Sequence, residues 1–183
     1  MGPLIIGVGG AYSGVGKTAV ICKILRRFEN WGAIKYTRTP FYASVTDETA
    51  VLSEEGKDTR RFLDAGAVKV VWVQSPYSGL PAALSLAAGM FSDEVRGILV
   101  EGNSAVEVMQ PDIVIFVSGS IQEQWKTNAG KILEGADIVL YDGEPVKTSS
   151  AALQFPVSRT NEYLRALKEL LGPIRKSQGS QKR

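Results

Sequence analysis

One stretch near the start of the chain constrains its fold more than any other: "GGAYSGVGKTAV", Gly9 to Val20, directly behind the apolar run "PLIIGV". Read from Ala11 it has the form A-x-x-x-x-G-K-T, with Ala11 where the usual pattern opens on glycine, followed by Gly14, Gly16, Lys17 and Thr18. Glycines let successive backbone N–H groups turn inward around phosphate oxygens, and a helix starting there adds the positive end of its dipole. The lysine of such a loop bridges the β- and γ-phosphates, and the hydroxyl is offered to Mg2+. What separates a phosphate loop from an ordinary glycine-rich turn is a strand before it and a helix after it. Both are legible. "LIIGVG" reads as a strand, and Ile21, Ile24, Leu25 and Phe28 fall at i, i+3, i+4 and i+7 on one helix face, which is expected to stop at Gly32. The expected phosphate ligands are Ser13, Gly14, Val15, Gly16, Lys17, Thr18 and Ala19.

Downstream, "AIKY" is a short second strand, residues 38–56 look polar and irregular, and Asp58 is placed to cap a short helix "TRRFLDAG" ahead of the strand "VKVVWVQ". "LPAALSLAAGM" has a helix pattern, "RGILVEG" and "PDIVIFVSG" read as strands, residues 120–135 as helix and "ADIVLYDG" as a sixth strand. Tyr163, Leu164, Leu167, Leu170 and Leu171 mark a final amphipathic helix. Strands alternating with helices predict an α/β fold, a three-layer P-loop NTPase with a mostly parallel, twisted sheet. Residues 1–172 are read as one nucleotide-binding domain and 173–183 as a polar, basic tail expected to be disordered.

Composition narrows the chemistry. Cys22 is the single cysteine and there is no histidine, which excludes an internal disulfide framework and a His/Cys metal site. The formal charge of +2 is set by the tail: four of the 21 Lys and Arg residues lie in "RKSQGSQKR", and the remaining 17 face 19 acidic residues. A basic nucleic-acid groove is therefore not expected. No apolar run approaches the ~18–20 residues of a membrane span, and the N-terminal stretch lacks a basic region with a small-residue cleavage site, so a cytoplasmic location is expected.

A phosphate site of this kind needs a carboxylate at the end of a neighbouring strand to hold Mg2+. Glu101 ends the apolar run "GILV" at the carboxyl edge, where open α/β sheets bind ligands. Asp47 and Glu48, in the irregular segment, are further candidates; Thr18, Asp47 and Glu101 form the expected metal set. Asp112 precedes its strand, at the wrong edge, and reads as structural. "EGKD", Glu55 to Asp58, superficially resembles a guanine-specificity tetrapeptide but has Gly56 in place of Asn or Thr, so no motif chooses the base. Tyr12 stands where some related ATPases carry a second lysine. Arg60 and Arg61 follow Asp58 on a helix face, Trp31, Trp72, Trp125 and Cys22 read as packing residues, and "SPYSG" as a turn at the carboxyl edge.

Taken in order, "IIGVGGAYSGVGKT", "GAIKYT", "EGKDTRRFLDAGAVKVV" and "ILVEG" resemble the molybdopterin-guanine dinucleotide biosynthesis protein B (MobB) family over roughly residues 4–118. The resemblance implies a slow, Mg2+-dependent GTP-binding protein accessory to attachment of the nucleotide to molybdopterin, commonly dimeric, with molybdopterin or a cofactor-biosynthesis protein as partner. It implies that Lys35, Thr37, Lys57, Asp58 and Glu101 line the same face as the phosphate loop, with Lys17 and Glu101 as the residues carrying the chemistry. Two departures stand out: Tyr36 replaces the histidine of the family's Lys-His-Thr, and Asn103–Ser104 follow Glu101–Gly102 in place of an aromatic-Lys pair. Two other classes fit the same residues: a small-molecule kinase of P-loop fold, binding ATP or GTP beside an acceptor pocket around residues 36–60 and 101–108 with a base such as Asp47, and a non-enzymatic nucleotide-gated adaptor or cofactor-delivery chaperone.

Overall fold

The computed structural model describes residues 2–119 and 125–180. Its centre is an eight-stranded sheet in the order β3-β4-β2-β5-β1-β6-β7-β8. These strands are β1 (Leu4–Gly10), β2 (Trp31–Arg38), β3 (Ser44–Thr46), β4 (Val70–Ser75), β5 (Gly97–Glu101), β6 (Ile113–Val117), β7 (Ile138–Tyr141) and β8 (Leu153–Pro156). Every pairing is parallel except that of the edge strand β3 with β4. The helices are α1 (Lys17–Arg27), α2 (Thr49–Leu52), α3 (Asp58–Asp64), α4 (Leu80–Gly89), α5 (Asn103–Met109), α6 (Ala129–Glu134) and α7 (Thr160–Ser180). Parallel strands need crossover helices, and these cover both faces of the sheet.

Alternation along β1 shows how the layers are sorted. Leu4, Ile6 and Val8 face a core shared with Ile21, Ile24 and Leu25 of α1, Phe62 of α3 and Tyr163 and Leu167 of α7. On the opposite face, α4 and α5 close a second core over Ile34, Val71, Val73, Ile98 and Val100. Ile132 and Leu133 of α6 pack over Phe116 and Val139 in a third. The three-layer α/β expectation is met.

Several local expectations are corrected. The first helix stops at Arg27 rather than at Gly32, which lies inside β2; Asn30 makes the turn at φ 61°, so that Trp31 can begin the strand fully buried. The segment 38–56 is not wholly irregular: Ser44–Thr46 adds an antiparallel edge to β4, and Thr49–Leu52 forms one helical turn whose Leu52 is buried in the core. The seven-residue α5 between β5 and β6, and β8, whose Leu153–Pro156 pair with β7, carry too little periodicity to stand out in the sequence. Helix at 120–135 is found at Ala129–Glu134, and residues 120–124 lie outside the described ones. The last helix runs through Pro173 to Ser180, so most of the tail expected to be disordered continues α7; Leu171 and Ile174 pack against the core and carry the helix past Gly172.

Trp31 lies across the register position of Gly97 in β5. A Cβ built on Gly97 would come within 2.4 Å of the indole ring, which is fully buried and has no room to turn aside. Gly97→Ala is expected to destabilise the protein by about 1–3 kcal/mol through overpacking. Denaturant unfolding checks this, with Trp31→Phe in the same chain recovering part of the loss in a double-mutant cycle.

Candidate functional site

Gly10 ends β1, and the chain then turns through Ala11–Gly16 into α1. Gly14 and Gly16 adopt φ of 83° and 103°, the left-handed region that side chains with a Cβ avoid, and both face open space. No acidic residue occupies the first turn of the 11-residue α1, which leaves the positive end of its dipole open to an anion. Lys17 donates a 3.0 Å hydrogen bond to the Tyr12 carbonyl, folding its side chain back over the loop. Burial pushes the Lys17 ammonium below its ordinary pKa, and Glu101 only partly offsets this. An anion seated in the loop would supply the missing counter-charge.

The carboxylate of Glu101 is buried at the end of β5. One oxygen accepts the Thr18 hydroxyl at 3.0 Å and the other accepts Lys35 Nζ at 2.6 Å. Lys35 sits directly across from Glu101 in the β2–β5 register and also reaches Asp58 Oδ2 at 2.7 Å. A single ammonium therefore lies between two carboxylates, beside the hydroxyl of the phosphate loop. Burial works against the charge on Asp58, but the hydrogen bond and charge of Lys35, with smaller help from Thr18 and Arg61, hold its pKa below the ordinary value. Asp58 does not cap its helix, as Lys57 holds that position and makes no side-chain cap; the carboxyl is turned to Lys35 instead.

These groups open onto a cavity of about 640 Å³ lined by Ser13, Gly14, Gly16, Lys17, Thr18, Ala19, Lys35, Thr37, Asp58 and Glu101, together with Arg38, Arg61 and Lys126. Five cations face two carboxylates there, in a body whose charge is slightly negative. Val15 packs against the core beside this cavity. Besides Val15, two expected residues, Asp47 and Lys57, are not brought into it. Asp47 follows β3, which runs antiparallel to β4 toward the opposite edge of the sheet, and pairs with Lys69 at 2.7 Å. Asp47 is thereby removed both as a metal ligand and as an acceptor base. Lys57 lines an adjoining recess, its ammonium 2.7 Å from Glu54 and 4.8 Å from the centre of the Trp72 ring. Asp112 accepts the Ile5 N–H at 2.8 Å at the amino end of β1, a structural role. Arg60 turns away to Asp64, whereas Arg61 reaches the cavity.

A second cavity of about 510 Å³ shares Tyr36, Arg38, Gly102 and Lys126 with the first and extends to Tyr77, Ser104 and Asn128. Its floor is tied to the phosphate loop by the buried Asn103. That side chain accepts the Gly10 N–H at 2.8 Å, donates to the Gly10 carbonyl at 3.0 Å and donates to Asn128 at 3.2 Å. The backbone N–H of Lys126 donates to the Ala11 carbonyl at 2.7 Å. Arg38 and Lys126 were not singled out by sequence reasoning, and Asn103 stood out there only as a departure from the MobB pattern. Arg38 carries one available signal, its place at the carboxyl end of β2 three residues after Lys35; Lys126 carries none, since only the fold returns it to Ala11.

The strand order, the largely parallel sheet and the glycine-rich turn into α1 define the class of fold: a P-loop NTPase fold, with the loop at the carboxyl edge of the sheet. One solved structure similar to this chain is that of LpxK from Aquifex aeolicus, an "apo" form in complex with ATP. It superposes with a TM-score of 0.50 at 17% identity, over 85% of this chain and 54% of that one. The chain thus spans about half the length of that protein, and the likeness is one of fold. No protein-family profile matches the chain, and no curated protein matches it. Among the described residues no helix is long and apolar enough to cross a membrane.

The depressed Asp58 pKa makes a signed prediction. Folding favours the ionised carboxyl, so its stabilisation is fully present above the ordinary carboxylate pKa of about 3.9 and is lost as pH falls through the lower folded-state value. Asp58→Asn is expected to be less stable than the wild type at pH 7, with the gap narrowing below about pH 4 and also in high salt, because the pair is partly exposed. Urea titrations across that range check both trends.

Proposed function

We propose that this protein binds a nucleoside triphosphate with Mg2+ and transfers its terminal phosphoryl group to a small acceptor. The observation that carries this reading is the adjacency of the two cavities: the phosphate cradle shares Tyr36, Arg38, Gly102 and Lys126 with a second chamber within the size range of small-molecule sites. An acceptor in that chamber would lie beside the triphosphate. Its attacking atom forms a bond to the γ-phosphorus as the bond from phosphorus to the bridging oxygen breaks. The electron pair leaves on the nucleoside diphosphate, and the acceptor's proton passes to solvent.

The residues present fit Mg2+. Thr18, Glu101 and Asp58 offer only oxygen donors, as this hard cation requires, and they already hold one cation, the Lys35 ammonium, between their carboxylates. Asp58 takes the place that Asp47 was expected to fill. When bound, the ion neutralises charge on the phosphate oxygens. Lys17 and the loop amides bind and orient the phosphates, Lys35 is released to face them, and Arg61 adds positive charge. No motif selects the base; ATP, named in the complex of the structurally similar LpxK, is to be tested beside GTP.

A second reading is favoured by a separate observation. The motifs that carry the MobB resemblance, K-x-T, E-G-K-D and E-G, converge on one triad, Lys35, Asp58 and Glu101. On that reading the chain is a slow GTPase accessory to molybdenum-cofactor biosynthesis, dimeric, handing its product to a partner protein. A nucleotide-gated adaptor differs from both only in lacking turnover.

Nucleotide binding and phosphate release by the wild type and Lys17→Ala separate these readings. With Mg2+ present the wild type is expected to bind ATP or GTP, and Lys17→Ala about 10- to 100-fold more weakly through loss of charge-assisted bonds. Consumption that depends on an added acceptor supports phosphoryl transfer. Release of phosphate without an acceptor supports the GTPase, and binding without turnover the adaptor. Failure of the wild type to bind either nucleotide refutes all three.

A further inference from the structure

We infer that the second cavity binds an oxyanionic small molecule, one carrying a carboxylate or phosphate group, and that Arg38 and Lys126 are the residues that select for it. This rests on the acceptor reading above and names the chemical class of that acceptor. The other charged side chains around the two cavities have protein partners: Lys17 the Tyr12 carbonyl, Lys35 both Asp58 and Glu101, Arg61 Asp58, and Glu107 Lys131. Arg38 and Lys126 are exceptions. Each is exposed, lines both cavities, and has no hydrogen-bond or ion-pair partner of its side chain among the described residues.

Glu107 is the carboxylate in this chamber that would repel such a ligand, and Lys131 neutralises it from outside. The hydroxyls of Ser104 and Thr127 also line the chamber without a protein partner among the described residues, and add donors suited to oxyanion oxygens. Tyr36, by contrast, is committed: its hydroxyl donates to the Ser75 carbonyl at 3.0 Å, which fixes its ring as a wall. Two free cations from different elements, β2 and the segment before α6, thus meet over a chamber whose own acid is already satisfied. A guanidinium and an ammonium so arranged match a carboxylate or phosphate and disfavour an amine.

The test fills the phosphate loop first, so that probes report on the second chamber alone. Protein saturated with Mg2+ and ADP is titrated with glutarate, glycerol phosphate, 1,5-pentanediol and 1,5-diaminopentane, with binding followed by calorimetry and ligand-observed NMR. Glutarate or glycerol phosphate is expected to bind saturably, the diol and diamine at least tenfold more weakly. The preferred oxyanion reports whether the group is a carboxylate or a phosphomonoester. Arg38→Gln/Lys126→Gln is expected to weaken oxyanion binding by at least about tenfold, and Arg38→Lys/Lys126→Arg to restore it to within about threefold. Both side chains are exposed and unpaired, and a circular dichroism melt confirms that the variants fold. Equal binding of diol and oxyanion, oxyanion binding unchanged in the Gln variant, or no saturable oxyanion binding up to about 10 mM overturns the inference. The same titrations on nucleotide-free Lys17→Ala keep the two claims apart. Oxyanion binding there, with no nucleotide binding by the wild type, sinks the transfer reading and leaves the anion site; nucleotide binding without oxyanion binding does the reverse.

Discussion

A carboxylate buried at the end of a central strand is the constraint around which this molecule is arranged. Burying a carboxylate is costly unless it is paired and hydrogen-bonded, and Glu101 receives both a cation and a donor from neighbours that the fold must bring to it. Lys35 arrives because β2 pairs with β5 in the register that sets the two residues opposite each other. Thr18 arrives because β1 flanks β5 on its other side and delivers the phosphate loop to the same edge. Asp58 then shares the ammonium, which fixes where α3 begins. Buried ion pairs of this kind often contribute no more stability than apolar residues of similar volume. A fold alone therefore gives no reason for two acids, an ammonium and a hydroxyl to meet here. On the proposed reading, a cation and a polyphosphate would share those groups.

The electrostatics of the cradle follow the same logic. Lys17 is desolvated and its charge disfavoured, the dipole end of α1 is left free of acids, and Arg38, Arg61 and Lys126 stand around the opening. A local excess of positive charge on a slightly negative body focuses anions toward one edge of the sheet. Of these groups Lys17 carries a desolvation cost, which an anion bound in the loop would offset. Ligand binding should accordingly be felt as ordering of the loop rather than as movement of the sheet, whose strands are buried on both faces.

How far the sequence reached depends on the range of the interaction concerned. Strands and helices with strong periodicity, β1, α1, β4, β6 and α7, were legible because their burial pattern is written locally. The phosphate loop was legible for the same reason, since all its residues lie within ten positions. Elements whose existence depends on a neighbour were not: β3 forms only because β4 offers an edge, and α5 is short and supported by packing against α4, α6 and β1. The site divides along the same line. Glu101 at a strand end could be placed from sequence, whereas Asp58 read as a helix cap, joined to the site only by resemblance, and Asp47 as a metal ligand. What separates them is the direction of β3, which carries Asp47 away to Lys69, and the turn into α3, which brings Asp58 back to Lys35. Pro173 looked like a boundary, but apolar residues on either side of it keep the helix packed.

Asn103 shows why the two cavities belong to one device. Where the resembling family carries an aromatic residue, this chain has an amide that binds both polar groups of Gly10, the residue on which the phosphate loop hinges. An aromatic side chain offers no such paired donor and acceptor, and Gly10 would have to find them elsewhere. The same amide reaches Asn128 in the wall of the second chamber. Asn128 is thereby tied through one buried side chain to the backbone at which the phosphate loop begins.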